Sequence, residues 1–228
     1  MPRPRTIAID GPAGTGKSTI SQIIAERFGY VFVDTGAFYR AVTYVLLQTG
    51  VSLKDHDLVK NVVDHIQLRI VPEPAADYRV IANGDDVTAY LRSKKVEASV
   101  SAVAEMPYVR EALLPLQRQV AEGGNIILAG RDIGTVVLPD ADLKLYIDAS
   151  LEERARRRHK QLTDAGKNAD AAEVQSALAE RDRVDSERSL APLSRADDAI
   201  YILTDGKSID DVVQEISQRI ETWETEKS

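Results

Sequence analysis

The sequence predicts an α/β fold of the doubly wound kind: a five-stranded parallel sheet covered on both faces, with a small antiparallel β lobe inserted and a helical lid. Three observations carry this. Short apolar runs alternate with helically spaced segments from end to end. The runs are continuously apolar rather than alternating, as strands buried on both faces are. A glycine-rich turn joins the first run to the first helical segment, in the strand–turn–helix order typical of such sheets.

In chain order, strands are expected over residues 6–9, 31–33, 125–129, 143–147 and 199–203, and helices over 18–28, 37–48, 151–162 and 208–220. One region breaks the rhythm. Residues 66–71 and 78–82 read as paired antiparallel strands joined by a loop over 72–77, and Asn83-Gly84 supplies a tight turn into Val87-Thr88. The expected organisation is a core of residues 1–65 and 105–228, carrying a lid at about 154–170, with an inserted lobe over 66–104. The loop over 167–170 is expected to be mobile.

Composition removes several function classes. The chain has 228 residues, 43% of them hydrophobic, enough for a sizeable core. It has no Cys, so disulfides and Cys-ligated metals are excluded, and its three His residues are scattered. A net charge of −7 argues against non-specific nucleic-acid binding, which needs a basic face. The N-terminal region lacks the apolar run of a secretory signal, and no run approaches the ~20 apolar residues of a membrane span. A cytoplasmic protein is expected, and with no long apolar patch, a monomer.

Gly11-Pro12-Ala13-Gly14-Thr15-Gly16-Lys17-Ser18-Thr19 fits G-x-x-x-x-G-K-[ST] in full, between a strand and a helix. Glycines let backbone N–H groups turn inward around an anion, and the positive end of the following helix adds to that field. Lys17 would reach the β- and γ-phosphates of a nucleoside triphosphate, and the Ser18 hydroxyl would ligate Mg²⁺. The D-x-x-G and N-K-x-D segments of a GTPase switch are absent. Instead Arg40 follows the second strand and Arg131 and Asp132 follow the 125–129 strand, at the edge where ligands of such sheets collect. Arginine holds a second phosphate by a bidentate fork. Arg181, Asp185 and Arg188 share one helical face; the same spacing suits an ordinary i,i+4 ion pair. Arg154, Arg157 and Arg158 also share a side, as a plain charged face or as a lid closing over triphosphate.

The phosphate loop, Asp34-Thr35-Gly36-Ala37-Phe38-Tyr39-Arg40, Gly130-Arg131-Asp132-Ile133-Gly134-Thr135-Val136-Val137 and Arg181-Asp182-Arg183-Val184-Asp185-Ser186-Glu187-Arg188 together resemble bacterial-type cytidylate kinases, P-loop nucleoside monophosphate kinases. The resemblance spans essentially the whole chain, in order. It implies transfer of the γ-phosphoryl of ATP to CMP or dCMP with Mg²⁺. It implies that Thr35, Arg40, Arg131 and Arg188 surround the acceptor's phosphate and ribose, that Ser101, Arg110 and Asp132 read the cytosine, and that Arg181 and Asp185 contact base or sugar. Lys17, Arg131, Arg188, Arg157 and Arg158 would be catalytic. Two positions depart from the family pattern: Ala129, where an acidic residue is common, and Thr35, where Ser is frequent. The rival readings are a kinase for another monophosphate such as UMP and a nucleotide-dependent switch protein.

Overall fold

The computed structural model describes residues 3–73 and 77–223. The chain runs β1 (Thr6–Asp10), α1 (Lys17–Phe28), β2 (Val31–Asp34), α2 (Gly36–Thr49), α3 (His56–His65), β3 (Leu68–Glu73), β4 (Asp77–Ala82) and β5 (Asp85–Asp86). After a short 3₁₀ turn come α4 (Lys94–Glu105), α5 (Pro107–Ala121), β6 (Ile126–Ala129) and a single π-helical turn (Ile133–Val137). Then follow β7 (Leu143–Asp148), α6 (Leu151–Asp164), α7 (Ala171–Glu187), β8 (Ile200–Leu203) and α8 (Ile209–Thr222). No helix among the described residues is long and apolar enough to cross a membrane.

All five expected core strands form, in one parallel sheet of order β2-β6-β1-β7-β8. Side chains alternate between its faces. Ile7, Ile9 and Ile127 pack with Ile20 and Ile24 of α1 and Val213 and Ile216 of α8. Ala8, Ile126 and Leu128 face the other way, against Phe38 and Val42 of α2 and Leu113 of α5. This explains the continuously apolar runs: both faces are buried.

The second sheet has the order β3-β4-β5 and is antiparallel. The hairpin loop expected over 72–77 is shorter than that: Glu73 already pairs with Asp77, and residues 74–76 lie outside the described residues. Pro72 is tolerated in β3 because β3 is an edge strand. The third strand also comes earlier than expected, at Asp85–Asp86 rather than at Val87-Thr88. Asn83 (φ 51°) and Gly84 (φ 92°) both adopt left-handed backbone, so a two-residue turn closes at once and Ala82 pairs directly with Asp85. Ile70, Val80, Ala82, Val87 and Leu91 from this region share one continuous apolar cluster with Phe38 and Val42 of α2.

Ile127 is fully buried at the centre of β6. Ile127→Ala should destabilise the protein by roughly 2–5 kcal/mol in urea unfolding. A loss under 1 kcal/mol would contradict a close-packed central strand.

Candidate active site at the carboxyl edge of the sheet

Asp10 ends β1, and the chain then curls through residues 11–16 into α1. Gly11 has φ 142°, and a Cβ there would lie 1.9 Å from the Ile147 carbonyl oxygen, so the curl passes too close to β7 for any side chain. No side chain caps α1, nor α2, α4 or α5, and an uncapped helix start following a glycine-rich curl suits an anion. Lys17 Nζ lies inside the curl, donating to the Gly11 (2.7 Å) and Pro12 (2.6 Å) carbonyls and to Thr15 Oγ1 (3.3 Å). Burial lowers its pKa well below the usual lysine value, with nearby Arg131 acting the same way; Asp34, Asp10 and Asp185 oppose this. Ser18, half-buried, lines a cavity of about 290 Å³ together with Asp34 of β2 and Tyr78 and Arg92 of the inserted region. Thr19 is exposed.

Next to this loop the structure gathers the arginines that the sequence singled out. Thr35 donates from N (2.9 Å) and Oγ1 (3.1 Å) to the Ala129 carbonyl, tying the ends of β2 and β6 together. Gly130 has no room for a side chain, since a Cβ would meet Thr35 Oγ1 and Ile133 Cδ1 at 2.6 Å. Arg40 pairs with Glu97 of α4 (2.8 Å) and reaches Asp34 (3.7 Å). Burial works to lower its pKa, but these two carboxylates hold it up. Arg110 pairs with Asp132 (2.6 Å), donates to the Ala104 carbonyl (3.1 Å) and lies over the Tyr39 ring. Arg131 pairs with Asp185 (2.8 Å).

Arg188 lies one residue beyond α7 rather than on its face, because the backbone there is extended. It still returns to the cluster, contacting Asp185 (3.4 Å) and Asp132 (3.5 Å) and donating to the Ala191 carbonyl (2.6 Å). Burial lowers the pKa of Arg181, as does Arg131; it lowers that of Arg188, as does Arg110. Arg110 Nε, Arg181 Nε and Arg188 Nη2 are buried without a hydrogen-bond partner. Ser101 is half-buried on α4, one turn past Glu97.

The arginines of α6 divide. Arg154 is buried and donates to the Ala13 (3.1 Å) and Ala149 (2.9 Å) carbonyls while pairing with Asp182 (2.6 Å). Arg157 holds Thr204 by its hydroxyl (2.9 Å) and carbonyl (2.7 Å), and pairs with Glu153 (2.7 Å). Both thus grip the phosphate loop or its surroundings from outside. Arg158 donates to Gln161 of its own helix (2.7 Å).

Sequence reasoning missed Asp10. Its carboxylate is 4% exposed and accepts from Ile133 N (2.8 Å) and Gly134 N (2.7 Å) at the start of the π-helical turn. The available signal was an acid ending an otherwise apolar strand. It missed Glu97 and Asp182 too, which look like any helix-surface acids until their arginine partners are placed.

A family model described as cytidylate kinase matches residues 7–222. A cytidylate kinase of Exiguobacterium sp. is 47% identical over 221 residues, 97% of this chain and 98% of that protein. One of Geobacillus kaustophilus is 46% identical over 218 residues, 96% of this chain and 97% of that protein. A gluconokinase structure from Sinorhizobium meliloti 1021 covers both chains fully at TM-score 0.50 and 13% identity, a likeness of fold alone.

Burial raises the Asp10 pKa from 3.8 to about 6, even though two N–H groups bond its anion. An acid whose folded pKa is raised binds its proton more tightly when folded, so its contribution to stability falls as pH rises from about 4 to about 6. Relative to Asp10→Asn, the wild type should lose about 2 kcal/mol between pH 4.5 and 7, out of roughly 3 kcal/mol for the whole shift. Urea unfolding of both proteins at pH 4.5 and 7 checks this; a difference that does not change with pH would contradict it.

Proposed function

The chain belongs to the cytidylate kinase family, and from that premise we propose how its residues divide the work of moving the γ-phosphoryl group of ATP to CMP or dCMP. The observation that supports this division most is the buried arginine cluster beside Lys17, in which Arg110 Nε and Arg181 Nε have no hydrogen-bond partner and Arg188 Nη2 has only Asp132 at 3.5 Å. Buried donors of that kind suit phosphate oxygens.

In this reading Gly11 to Thr19 hold the triphosphate of ATP, with Lys17 on its β- and γ-phosphates. Arg40, Arg131 and Arg188 hold the CMP phosphate beside Thr35. Ser101, Arg110 and Asp132 face the cytosine, and Arg181 and Asp185 face base or sugar. The segment 66–104 serves as the acceptor-side lobe, and about 154–170 as the lid whose Arg157 and Arg158 approach the phosphates on closure. A CMP phosphate oxygen attacks the γ-phosphorus in line. One P–O bond forms to CMP, the bond to the β-phosphate oxygen of ADP breaks, and its electron pair stays on ADP. The attacking oxygen is already ionised, so no general base is needed. Catalysis consists of positioning and neutralising spread negative charge.

The donors around Ser18 suit Mg²⁺. The Ser18 hydroxyl and the Asp34 carboxylate line one cavity, and hard oxygen donors are what this ion takes. Among the described residues no cluster of three His, Cys, Asp or Glu exists to cage a metal. Ser18 would therefore hold an ion bound chiefly by phosphate oxygens and water, with Asp34 ordering that water. When bound, Mg²⁺ supplies further neutralisation of the β- and γ-phosphate oxygens. We also take the enzyme to be a cytoplasmic monomer acting on diffusing nucleotides.

Arg131→Ala should lower kcat with CMP by roughly 10²–10³-fold, while Arg3→Ala, remote at the N-terminus, leaves it unchanged. Equal effects in a coupled assay would undo the assignment of the strand-end arginines. In a panel of monophosphates with ATP and Mg²⁺, CMP and dCMP should give the highest kcat/KM. A preference for UMP would reassign the acceptor, and absence of any diphosphate product would revive the switch reading.

A further inference from the structure

Asp10 belongs to neither the expected donor set nor the expected acceptor set, yet it touches both. It ends β1 one residue before Gly11, and its two oxygens accept separately from Ile133 N (2.8 Å) and Gly134 N (2.7 Å). Those are the first residues after Arg131 and Asp132. A helical turn leaves its first N–H groups without partners inside the turn, and ordinarily the residue just before it supplies the cap. Here that residue is Asp132, which makes no such bond. Its carboxylate is turned instead to Arg110 and Arg188. The capping task has passed to a carboxylate on the neighbouring strand, and Asp132 is thereby left free to face the acceptor.

We propose that Asp10 is a positioning residue for phosphoryl transfer: its carboxylate ties the acceptor loop at Ile133-Gly134 to the donor loop at Gly11, setting the distance between the two nucleotides. This deepens the kinase reading and rests on it. The groups facing Asp10 fit the role. Lys17 of the donor loop attracts it, Asp132 of the acceptor loop repels it, and Tyr146 is its register partner on β7. The Lys144 side chain packs beside Asp10 Oδ2 on the same side of Gly134, filling the space that a Cβ there would need. A carboxylate confined there is ionised at a cost, burial having raised its pKa. A cost borne where two substrate loops meet points to function more than to folding.

Asn in place of Asp10 keeps the size but offers one acceptor oxygen and an NH₂ group to two N–H donors, so one tie is lost. Transfer needs the reacting atoms held closely, and a displacement near 1 Å costs about 10²-fold. Water, by contrast, needs no such alignment with the acceptor loop. The test follows ATP, CDP and inorganic phosphate separately in Asp10→Asn, with ATP-Mg²⁺ and CMP. The expected result is a kcat for CDP formation lowered about 10–100-fold, a KM for ATP close to wild type, and a larger share of ATP ending as inorganic phosphate. Gly134→Ala should shift the same partition by less. Its methyl would sit 3.4 Å from Asp10 Oδ2 and 3.2 Å from Lys144 Cδ, pressing on the tie without removing it. Asp10→Asn transferring within twofold of wild type would overturn the proposal, as would parallel losses of kcat and ATP affinity with an unchanged partition. If Asp10→Asn does not fold, an unchanged partition in Gly134→Ala overturns it alone. Absence of CDP from the wild type would instead sink the kinase reading beneath it.

Discussion

Like charges have to be kept together at one edge of the sheet, largely away from water, and the rest of the site is arranged around that constraint. Lys17, Arg40, Arg110, Arg131, Arg181 and Arg188 converge there, and at an effective dielectric near 20 two such cations about 4 Å apart repel by about 4 kcal/mol. Asp34, Glu97, Asp132 and Asp185 offset this pair by pair. The offset is deliberately incomplete in geometry. Arg40, Arg110, Arg131 and Arg188 spend part of their forks on protein carboxylates or carbonyls, while Arg110 Nε and Arg181 Nε are buried without a hydrogen-bond partner. Donors held in this way are already oriented toward an anion, which keeps the cost of reorganisation small.

The strand order makes the convergence possible. Loops after β2, β6 and β1 leave the same edge of adjacent strands, which brings Thr35 and Arg40, then Arg131 and Asp132, then Lys17 into one row. The next strand, β7, leads into α6, whose Arg154 and Arg157 hold the outer carbonyls of the phosphate loop. Thr35, Arg40, Arg131 and Asp132 therefore lie on one side of the Gly11–Thr19 loop and α6 on the other. Contacts such as Thr35 to the Ala129 carbonyl, and Gly130 pressed against Thr35, keep that row at fixed spacing. The strand ends supply Asp34, Thr35 and Arg131, and the helices α2, α4, α5 and α7 bring Arg40, Glu97, Arg110 and Asp185 against them.

Much of this was legible before any coordinates. Continuous apolar runs located all five core strands, since burial on both faces leaves no polar side to disguise them. The Gly11–Thr19 segment located the tight turn from β1 into α1, because Gly11, Gly14 and Gly16 adopt backbone that L side chains rarely take. The third strand of the small sheet was misplaced by two residues: Asp85 and Asp86 carry no apolar signal, and backbone pairing set by Asn83-Gly84 put them in register. The partnerships among charges were not legible. Glu97 and Asp182 sit on helices where sequence shows acids of the ordinary surface kind, and only tertiary packing sets them against Arg40 and Arg154. Ser101 carried no signal of its own beyond the resemblance, for a half-buried hydroxyl on a helix is common.

Ala129 shows how tightly the charges are balanced. In the sheet it is register partner to Asp34 on one side and to Ile9, next to Asp10, on the other. A carboxylate at that position, as the family resemblance implies, would add an acid between two others, and Asp10 already carries its charge at a cost. Each added anion in such a place needs a cation or a proton, and both would be drawn from the groups meant for phosphate. With Ala129 packed among Ile7, Ile9 and Ile127, the end of β6 contributes only backbone, its carbonyl anchoring Thr35. The acids of the site then have separate tasks: Asp34 stands beside Ser18, Asp132 beside Arg110, and Asp10 beneath the turn that carries Asp132.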